Sequence, residues 1–304
     1  MVKSSPTLYL IAGPTAVGKT ALSLEIAKYL NTYIISADSR QFYKEISIGT
    51  AKPSKYELEQ IEHYFINNKS IKELYSAGEY EIDVLRLLDN QFKTNNNALI
   101  VGGSGMYIDA VCKGLDNIPR DLKIREKLNE ELDKFGIDNL KKQLRDLDPV
   151  HFHNMDNNNS QRLIRAIEVC KIINAPYSSL LNENKKNRPF KIVKILLHMN
   201  KEELKTRIDK RVDKMIDDGL LSEVESLTKF RNYNALNTVG YKEIFEYLDG
   251  EISKDEAISK IKINTRKYAK RQMTWFKRDD DFIWVDNVDS KKAIEIIKSI
   301  VSKN

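Results

Sequence analysis

Short apolar runs alternate with amphipathic stretches over the first third of the chain. The runs at residues 8–12, 33–37 and 98–101 are apolar throughout, and each ends in a small or polar cluster. Runs of this kind are typical of strands in a parallel sheet that is covered on both faces. Between them, residues 20–30 and 80–92 carry apolar side chains at helical spacing. The alternation predicts an α/β fold with a parallel sheet and flanking helices.

The strand signal stops after Pro119, where apolar residues begin to recur at intervals of three and four, bounded by Gly and Pro. This spacing predicts an all-helical insertion at residues 119–189, which closes in a polar loop at residues 182–188. A strand-like run at 191–199 then resumes the sheet. We therefore expect a core built from residues 1–118 and 190–304, with a C-terminal helical region.

Composition limits the class of protein. The 304 residues are 41% hydrophobic and 31% charged, which excludes collagen-like, membrane-spanning and wholly disordered proteins. The N-terminus lacks the pattern of a secretory signal, so we expect a cytoplasmic protein that does not use a membrane. The spacing of the two cysteines and four histidines suits neither a redox pair nor a zinc site, and we assign them no metal.

Positive charge is concentrated near the C-terminus. The net charge is +6, and residues 258–278 contain eight Lys or Arg and no acid, interleaved with aromatic residues. Charge runs are often solvated faces, but helices of soluble proteins usually mix signs, so this segment indicates binding to a phosphate backbone. Arg162 and Arg165 form a second basic set in the insertion. Two basic sets beside a nucleotide-like pocket suggest a polynucleotide substrate.

A glycine-rich loop follows the first strand and opens a helix. Its sequence matches the GxxxxGK[ST] pattern of a P-loop, in the strand–loop–helix context that such a loop requires. The residues that we expect to bind a polyphosphate are Gly13, Pro14, Thr15, Ala16, Val17, Gly18, Lys19 and Thr20. Backbone N–H groups would cradle the phosphates, Lys19 would add a positive charge, and the Thr20 hydroxyl would bind Mg²⁺. The motif indicates a polyphosphate without identifying it as ATP.

Two further clusters follow the other strands and should face the same crevice, because the carboxyl ends of parallel strands lie at one edge. Asp38 is either a helix cap or a carboxylate that takes a proton from a nucleophile beside the phosphates. Ser39 and Gln41 could read a base edge. Ser104 lies in the stretch Gly-Gly-Ser-Gly, which is either a tight turn or a backbone that approaches a ligand closely.

The chain resembles the tRNA dimethylallyltransferases of bacterial type, which are also called tRNA isopentenyltransferases or the IPP transferase family. The resemblance covers nearly the whole chain. It is carried by GPTAVGKT (13–20), ADSRQFY (37–43), IGTAKP (48–53), YSAGEY (75–80), GGSGMY (102–107), RLIRAIEV (162–169), RVDKMIDDGLLSEV (211–224), TVGYKEI (238–244) and TRKYAKRQMTWFKRD (265–279). The P-loop is generic, whereas the last two stretches together with DSRQ are specific.

The resemblance implies transfer of a dimethylallyl group from dimethylallyl diphosphate to N6 of adenosine-37, just 3′ of the tRNA anticodon, in a P-loop-type core. The P-loop would hold the donor's diphosphate with Mg²⁺ as cofactor, and the catalytic residues would be Asp38, Ser104 and Lys19. The residues expected to contact the anticodon stem-loop are Asp38, Ser39, Arg40, Gln41, Ser104, Arg125, Arg162, Leu163, Ile164, Arg165, Ala166, Lys270 and Arg271. We expect a monomeric enzyme.

Three positions depart from the family pattern. Val17 stands where the family often has Ser, and Tyr64 and Asn67 stand where it usually has His and Asp. Three other functions remain open from the residues alone: a nucleoside or small-molecule kinase, a prenyltransferase that modifies free AMP, and a non-enzymatic RNA-binding NTPase switch. The basic helix speaks against the kinase, and a switch would need no carboxylate at position 38.

Overall fold

The protein is described here from a computed structural model covering residues 5–116, 118–181 and 186–303. It divides into two compact units. The first comprises residues up to 113 together with those from 188 onward, and the second is the intervening segment 114–187. Positions 182–185 of the polar loop expected at 182–188 lie outside the described residues. Within the described ranges, no helix is long and apolar enough to cross a membrane.

A six-stranded parallel sheet forms the centre of the first unit. Its strands are β1 (Thr7–Ala12), β2 (Ile34–Ala37), β3 (His63–Tyr64), β4 (Asn97–Gly102), β5 (Lys191–His198) and β6 (Ile283–Asp286). They are arranged in the order β3-β2-β4-β1-β5-β6, with every pairing parallel. The predicted α/β fold with a parallel sheet is confirmed, and the four strands expected from the apolar runs are all present.

Thirteen α-helices accompany the sheet in the described part of the chain. They are α1 (Lys19–Leu30), α2 (Lys55–Gln60), α3 (Ala77–Gln91), α4 (Gly105–Lys113), α5 (Leu122–Phe135), α6 (Ile137–Leu147), α7 (Pro149–Asn154), α8 (Ser160–Ile173), α9 (Lys201–Asp217), α10 (Leu220–Ser226), α11 (Tyr241–Leu248), α12 (Lys254–Phe276) and α13 (Ser290–Ser302). Helices α5 to α8 belong to the second unit, and the other nine belong to the first.

Both faces of the sheet are covered, which explains why its central strands are apolar throughout. In β1, Leu8 and Leu10 pack into the core on one face, and Tyr9 and Ile11 pack into the core on the other. All four side chains are at most 2% exposed. A strand covered on both sides has no solvent face to mark with polar residues.

Local capping sets the start of the basic helix α12. The Ser253 hydroxyl accepts a hydrogen bond from the backbone N–H of Glu256, and the Glu256 carboxylate accepts from the N–H of Ser253. This reciprocal pair satisfies two of the backbone donors that a helix start leaves open. Asn200 caps α9 in a similar way by accepting from the N–H of Glu203.

The second unit has its own apolar core, as an independent helical unit requires. Leu128 of α5, Leu140 and Leu144 of α6, and Leu163 and Ile167 of α8 are completely buried against one another. The apolar spacing of three and four residues that predicted these helices places one side of each helix in this core.

Candidate active site

Three loops meet at the carboxyl edge of the sheet, after β1, β2 and β4. Ser104, after β4, donates its backbone N–H to the Ala37 carbonyl of β2 at 3.2 Å, and its Oγ accepts the N–H of Ser39 at 2.9 Å. These bonds join the second and third loops. All three loops border a cavity of about 870 Å³. Sequence-predicted site residues in its wall are Thr15, Ala16, Gly18, Lys19, Thr20, Asp38, Ser39, Arg40, Gln41 and Arg271.

The P-loop wraps around the start of α1. Gly18 adopts a left-handed conformation with φ +95°, and a Cβ built there would lie 2.7 Å from Nδ2 of Asn287. Position 18 therefore requires glycine on both conformational and steric grounds. The same Asn287 amide donates to the carbonyl of Val17 at 2.6 Å, which supports the loop from behind. Val17 is fully buried, so the side chain that replaces the family's usual Ser lies in the core.

Lys19 is held within the loop that precedes it. Its Nζ donates to the carbonyls of Gly13 and Pro14 at 2.9 and 2.8 Å. The pKa of Lys19 is lowered to about 7, chiefly by burial and next by the nearby charge of Arg211, while Asp38 opposes the shift. An ammonium group that is poorly solvated and next to another cation gains most when an anion arrives. The cavity is therefore suited to polyphosphate binding at this end.

Asp38 begins a tight turn and stays close to the cationic side of the cavity. Its Oδ1 accepts the backbone N–H groups of Arg40 at 2.9 Å and Gln41 at 3.3 Å. Its charge acts on both Lys19 and Arg211, raising the pKa of each against the effect of burial. The structure thus brings the carboxylate and the phosphate loop to the same cavity, which a proton acceptor beside a leaving phosphate group requires.

Gln41 is committed to the protein rather than pointing freely into the cavity. Its Nε2 donates to the carbonyls of Thr50 and Ala51, both at 3.2 Å, and its Oε1 accepts from the Ser36 hydroxyl at 3.1 Å. Reading a base edge, as expected from the sequence, would require breaking these bonds. In the structure Gln41 instead fixes the loop after β2 to the 48–53 stretch.

Arg207 and Arg211, which the sequence analysis gave no role, line the same cavity from α9. They are four residues apart and so lie on one face of the helix. The guanidinium of Arg207 comes close to Gly18 of the P-loop, and burial lowers the pKa of Arg211 while Asp38 opposes that effect. Arg211 opens one of the stretches that carry the family resemblance, and this was the available signal.

Helix α12 closes the cavity with Tyr268 and Gln272, which are also four residues apart. The pKa of Tyr268 is raised to about 12, chiefly by burial and next by the charge of Asp38, while a hydrogen bond with Ser104 opposes the shift. Ser104 itself is only 8% exposed. Its expected contact with the reacting groups stays a prediction, since its hydroxyl lies among Ser39 and Tyr268.

Of the departures at positions 64 and 67, Asn67 lies beside a half-buried lysine, Lys52. Lys52 Nζ donates to Oδ1 of Asn67 at 2.6 Å and to the carbonyl of Tyr43 at 2.5 Å. Burial lowers the pKa of Lys52 to about 8. An amide at position 67 supplies an acceptor without the negative charge that an aspartate would add. Tyr64 packs its ring against Tyr33, with the centroids 4.6 Å apart.

The basic character of α12 is partly neutralised by acids on other helices. Lys260 pairs with Glu246 of α11, while Lys262 and Arg266 pair with Asp213 and Asp209 of α9. The absence of acids within residues 258–278 therefore overstated the available charge. Cations of this segment that are exposed and have no ion pair within the described chain are Lys267, Lys270, Arg271, Lys277 and Arg278.

Arginines of the insertion form an ion-pair network with Glu168, a fully buried carboxylate. Arg125 donates to Glu168 at 2.6 Å, and Arg165 donates to it at 3.1 Å and to the carbonyls of Ile118 and Pro119. Arg162 is exposed.

Three of the residues that were predicted to contact tRNA are apolar and buried. Leu163, Ile164 and Ala166 are at most 1% exposed and belong to the core of the insertion. A helix with one core face and one surface face cannot expose all of residues 162–166, so these three side chains are not at the surface, and their expected contact with tRNA stays a prediction.

The buried carboxylate of the insertion leads to a stability prediction. Burial opposes ionisation of Glu168, but hydrogen bonds from Arg125, the Asp121 N–H and Arg165 outweigh it and lower its pKa. The stabilisation is therefore present above the ordinary pKa of a glutamate and is lost as pH falls through the lowered value. We expect Glu168→Gln to reduce the free energy of unfolding at pH 7 by about 3–5 kcal/mol, since two arginines lose their counter-charge.

Urea unfolding at pH 7 and pH 4 measures this effect. Glu126→Gln, an exposed position on α5, is the control and should change stability by less than about 0.5 kcal/mol. Equal stabilities for the two variants at pH 7 would contradict the role given to Glu168.

Comparisons with known proteins show which family this chain resembles. The IPP transferase family matches residues 41–279. The tRNA dimethylallyltransferase 1 of Bacteroides fragilis is 46% identical over 299 residues, covering 98% of this chain and 99% of the relative. The tRNA dimethylallyltransferase of Christiangramia forsetii is 47% identical over 294 residues, covering 96% of this chain and 97% of the relative.

Solved structures show the same similarity over the whole chain. The full-length tRNA isopentenylpyrophosphate transferase of Bacillus halodurans superimposes with a TM-score of 0.72 at 34% identity, covering 98% of this chain and 96% of that protein. A eukaryotic dimethylallyltransferase acting on tRNA gives a TM-score of 0.78 at 27% identity, covering 99% and 80%. The residues that the family model matches include Gln41, the loop after β4 and helix α12. We conclude that this chain is an enzyme of the IPP transferase family.

Proposed function

We propose that this protein transfers a dimethylallyl group from dimethylallyl diphosphate to N6 of adenosine-37 in tRNA. The amine nitrogen attacks the first carbon of the dimethylallyl group, the bond from that carbon to the diphosphate oxygen breaks, and its electron pair leaves with the diphosphate. One N6 proton is lost to a base. The observation that carries the proposal is the P-loop and the Asp38 carboxylate lining one cavity.

The cationic end of the cavity supports binding of the donor's diphosphate. Lys19, Arg207 and Arg211 converge there with the N-terminus of α1. Positive groups held in place before the reaction stabilise the charge that develops as the diphosphate departs. Among the sequence-predicted residues, Gly13, Pro14 and Val17 lie behind the cavity wall, and Thr15, Ala16, Gly18, Lys19 and Thr20 lie in it.

The acceptor side is supported by Asp38. An exocyclic aromatic amine is a weak nucleophile, so a carboxylate that orients it and receives its proton contributes directly to the rate. The adenine of a stacked anticodon loop must be turned outward to reach a cavity of this kind. Tyr268 and Arg271 lie in the wall, with the Arg271 guanidinium 5.8 Å from the centre of the Tyr268 ring.

The residues around Thr20 fit a magnesium ion. Thr20 and Asp38 line both the main cavity and a small pocket of about 60 Å³, and the hydroxyl-bearing Ser36 lines the small pocket as well. Mg²⁺ prefers oxygen ligands and usually shares one or two protein groups with substrate phosphates and water. Thr20 would hold the ion against the diphosphate, where it would supply neutralising charge.

The central test is incubation of the protein with an unmodified anticodon stem-loop RNA and labelled dimethylallyl diphosphate, followed by mass analysis of the nucleosides. We expect label on N6 of a single adenosine and release of diphosphate. Parallel reactions use free AMP as the acceptor or add ATP as a competitor of the prenyl donor. Labelling of AMP alone would favour the AMP-modifying prenyltransferase, and stoichiometric release of ADP would favour the kinase.

The exposed cations of α12 give a second test, of RNA binding. We expect Lys270→Gln with Arg271→Gln to weaken tRNA binding and to reduce the slope of log affinity against log salt by about 1.5 to 2, because each phosphate contact releases a counterion. Fluorescence anisotropy across a salt series measures both quantities.

The matched control is Lys260→Gln with Lys262→Gln on the same helix, where both cations are already paired with acids. A salt slope in the double variant of Lys270 and Arg271 that equals the native slope would show that these residues are solvated and take no part. RNA contact by Arg125, Arg162 and Arg165, a monomeric state and a cytoplasmic location remain predictions from the sequence.

A further inference from the structure

One buried glutamine joins two of the three loops that border the cavity. Gln272 of α12 accepts the backbone N–H of Thr15 on Oε1 and donates from Nε2 to the carbonyl of Gly103, each at 2.9 Å. Thr15 belongs to the P-loop, and Gly103 precedes Ser104 in the loop after β4. The side chain is only 6% exposed.

The chemistry of these two bonds requires an amide. A backbone N–H can only donate and a carbonyl can only accept, so the group between Thr15 and Gly103 must do both at once. A carboxylate would accept from Thr15 and repel the Gly103 carbonyl, and a cationic side chain would do the reverse. Asparagine carries the same group but is one methylene shorter.

The loops are built closely around Gln272. A Cβ placed on Gly103 would lie 2.3 Å from Nε2 of Gln272 and 3.2 Å from the Gly13 carbonyl. Position 103 therefore has no room for a side chain while Gln272 keeps both bonds. The adjacent turns of α12 fix the helix to the same region, since Trp275 Nε1 donates to Asp109 of α4 at 2.9 Å.

We propose that Gln272 is a positioning residue that sets the spacing between the diphosphate-binding loop and the loop that carries Ser104. This inference rests on the proposed prenyl transfer, in which donor and acceptor are held by different loops. Ser104 is bonded to Ser39, next to Asp38, so the spacing set by Gln272 reaches the carboxylate that faces the amine. A shift of about 1 Å between two reacting groups is enough to lower a rate by about 100-fold.

The first experiment compares Gln272→Leu with the native protein in the stem-loop assay. We expect kcat to fall by about 10- to 100-fold, while KM for each substrate changes by less than about threefold, because the loops keep their own binding groups but lose their alignment. Gln91→Leu is the matched control, since the Gln91 amide at the end of α3 donates to the Thr32 hydroxyl, between α1 and β2, and to the Asn97 carbonyl of β4. Its kcat should stay close to the native value.

The second variant, Gln272→Glu, separates alignment from loss of fold. At pH 7.5 its carboxylate cannot donate to Gly103, and kcat should be low. Protonation restores a donor, so the ratio of variant to native kcat should rise as pH is lowered toward about 5.5. With kcat expressed per folded protein at each pH, a purely structural role would leave this ratio unchanged.

The outcomes separate the two proposals. If the native protein transfers no label, the proposed function fails. If the native protein is active and Gln272→Leu retains native kcat, or if both Gln272 variants lose kcat only in proportion to lost folded protein, the positioning role is overturned. A ratio for Gln272→Glu that does not change with pH would overturn it as well.

Discussion

Asp38→Asn is expected to lower kcat by about 10²–10³-fold while tRNA affinity stays within about threefold of native. The amide keeps an oxygen that can accept the N–H groups of Arg40 and Gln41, so the turn after β2 retains its geometry. It cannot take a proton from the amine. The loss should therefore appear in turnover, measured under single-turnover conditions with saturating donor.

Asp38→Ala provides the comparison. It removes both the charge and the acceptor of the turn, so its kcat should be at least as low as that of the asparagine variant, by about 10²-fold or more from native. The difference between the two variants measures the contribution of the turn. Turnover by Asp38→Asn within about threefold of native would remove Asp38 from the proton-transfer step.

Lys19→Met is expected to lower kcat/KM for the donor by about 10²–10³-fold, because a preorganised cation at the leaving diphosphate is lost. The variant also carries a pH signature. Burial lowers the pKa of Lys19 to about 7 in the free protein, and kcat/KM reports groups of the free protein. Native kcat/KM for the donor should therefore decrease as pH rises above 7, since neutral Lys19 cannot balance the diphosphate.

The pH series from 6 to 9 should show this decrease in the native protein and a flatter profile in Lys19→Met. Lys28→Met is the control on the same helix, where the exposed Lys28 pairs with Glu25 and Gln60. It should keep the native profile. A pH dependence of kcat/KM that is identical in native protein and Lys19→Met would assign the titration to another group.

The central strands were predictable because burial on both faces leaves an unbroken apolar run. The edge strands were not. β3 has only two residues, and β6 exposes Ile283 and Trp284 by more than two fifths, so neither shows the apolar run of a covered strand. Each becomes a strand by pairing with an existing edge, β2 or β5, which is a non-local interaction.

Charge was harder to interpret than hydrophobicity. The basic run of α12 contains no acid within its own segment, and so predicts unpaired charge. Its partners Asp209, Asp213 and Glu246 lie far away in sequence and reach α12 only after α9 and α11 pack beside it. Arg125 likewise meets its buried counter-ion Glu168 across 43 residues of sequence, whereas Arg165 and Glu168 are close neighbours on α8.

Local interactions within a few residues of one another produce the strand–loop–helix of the P-loop, the capped start of α12 and the helices of the insertion, and these can be inferred from the order of amino acids. The family resemblance indicated the chemistry from the same motifs. The position of the cationic pair of α9 beside the cavity and the amide bridge from Gln272 depend on contacts between distant segments. Such contacts follow from how the elements pack, and no local pattern records them.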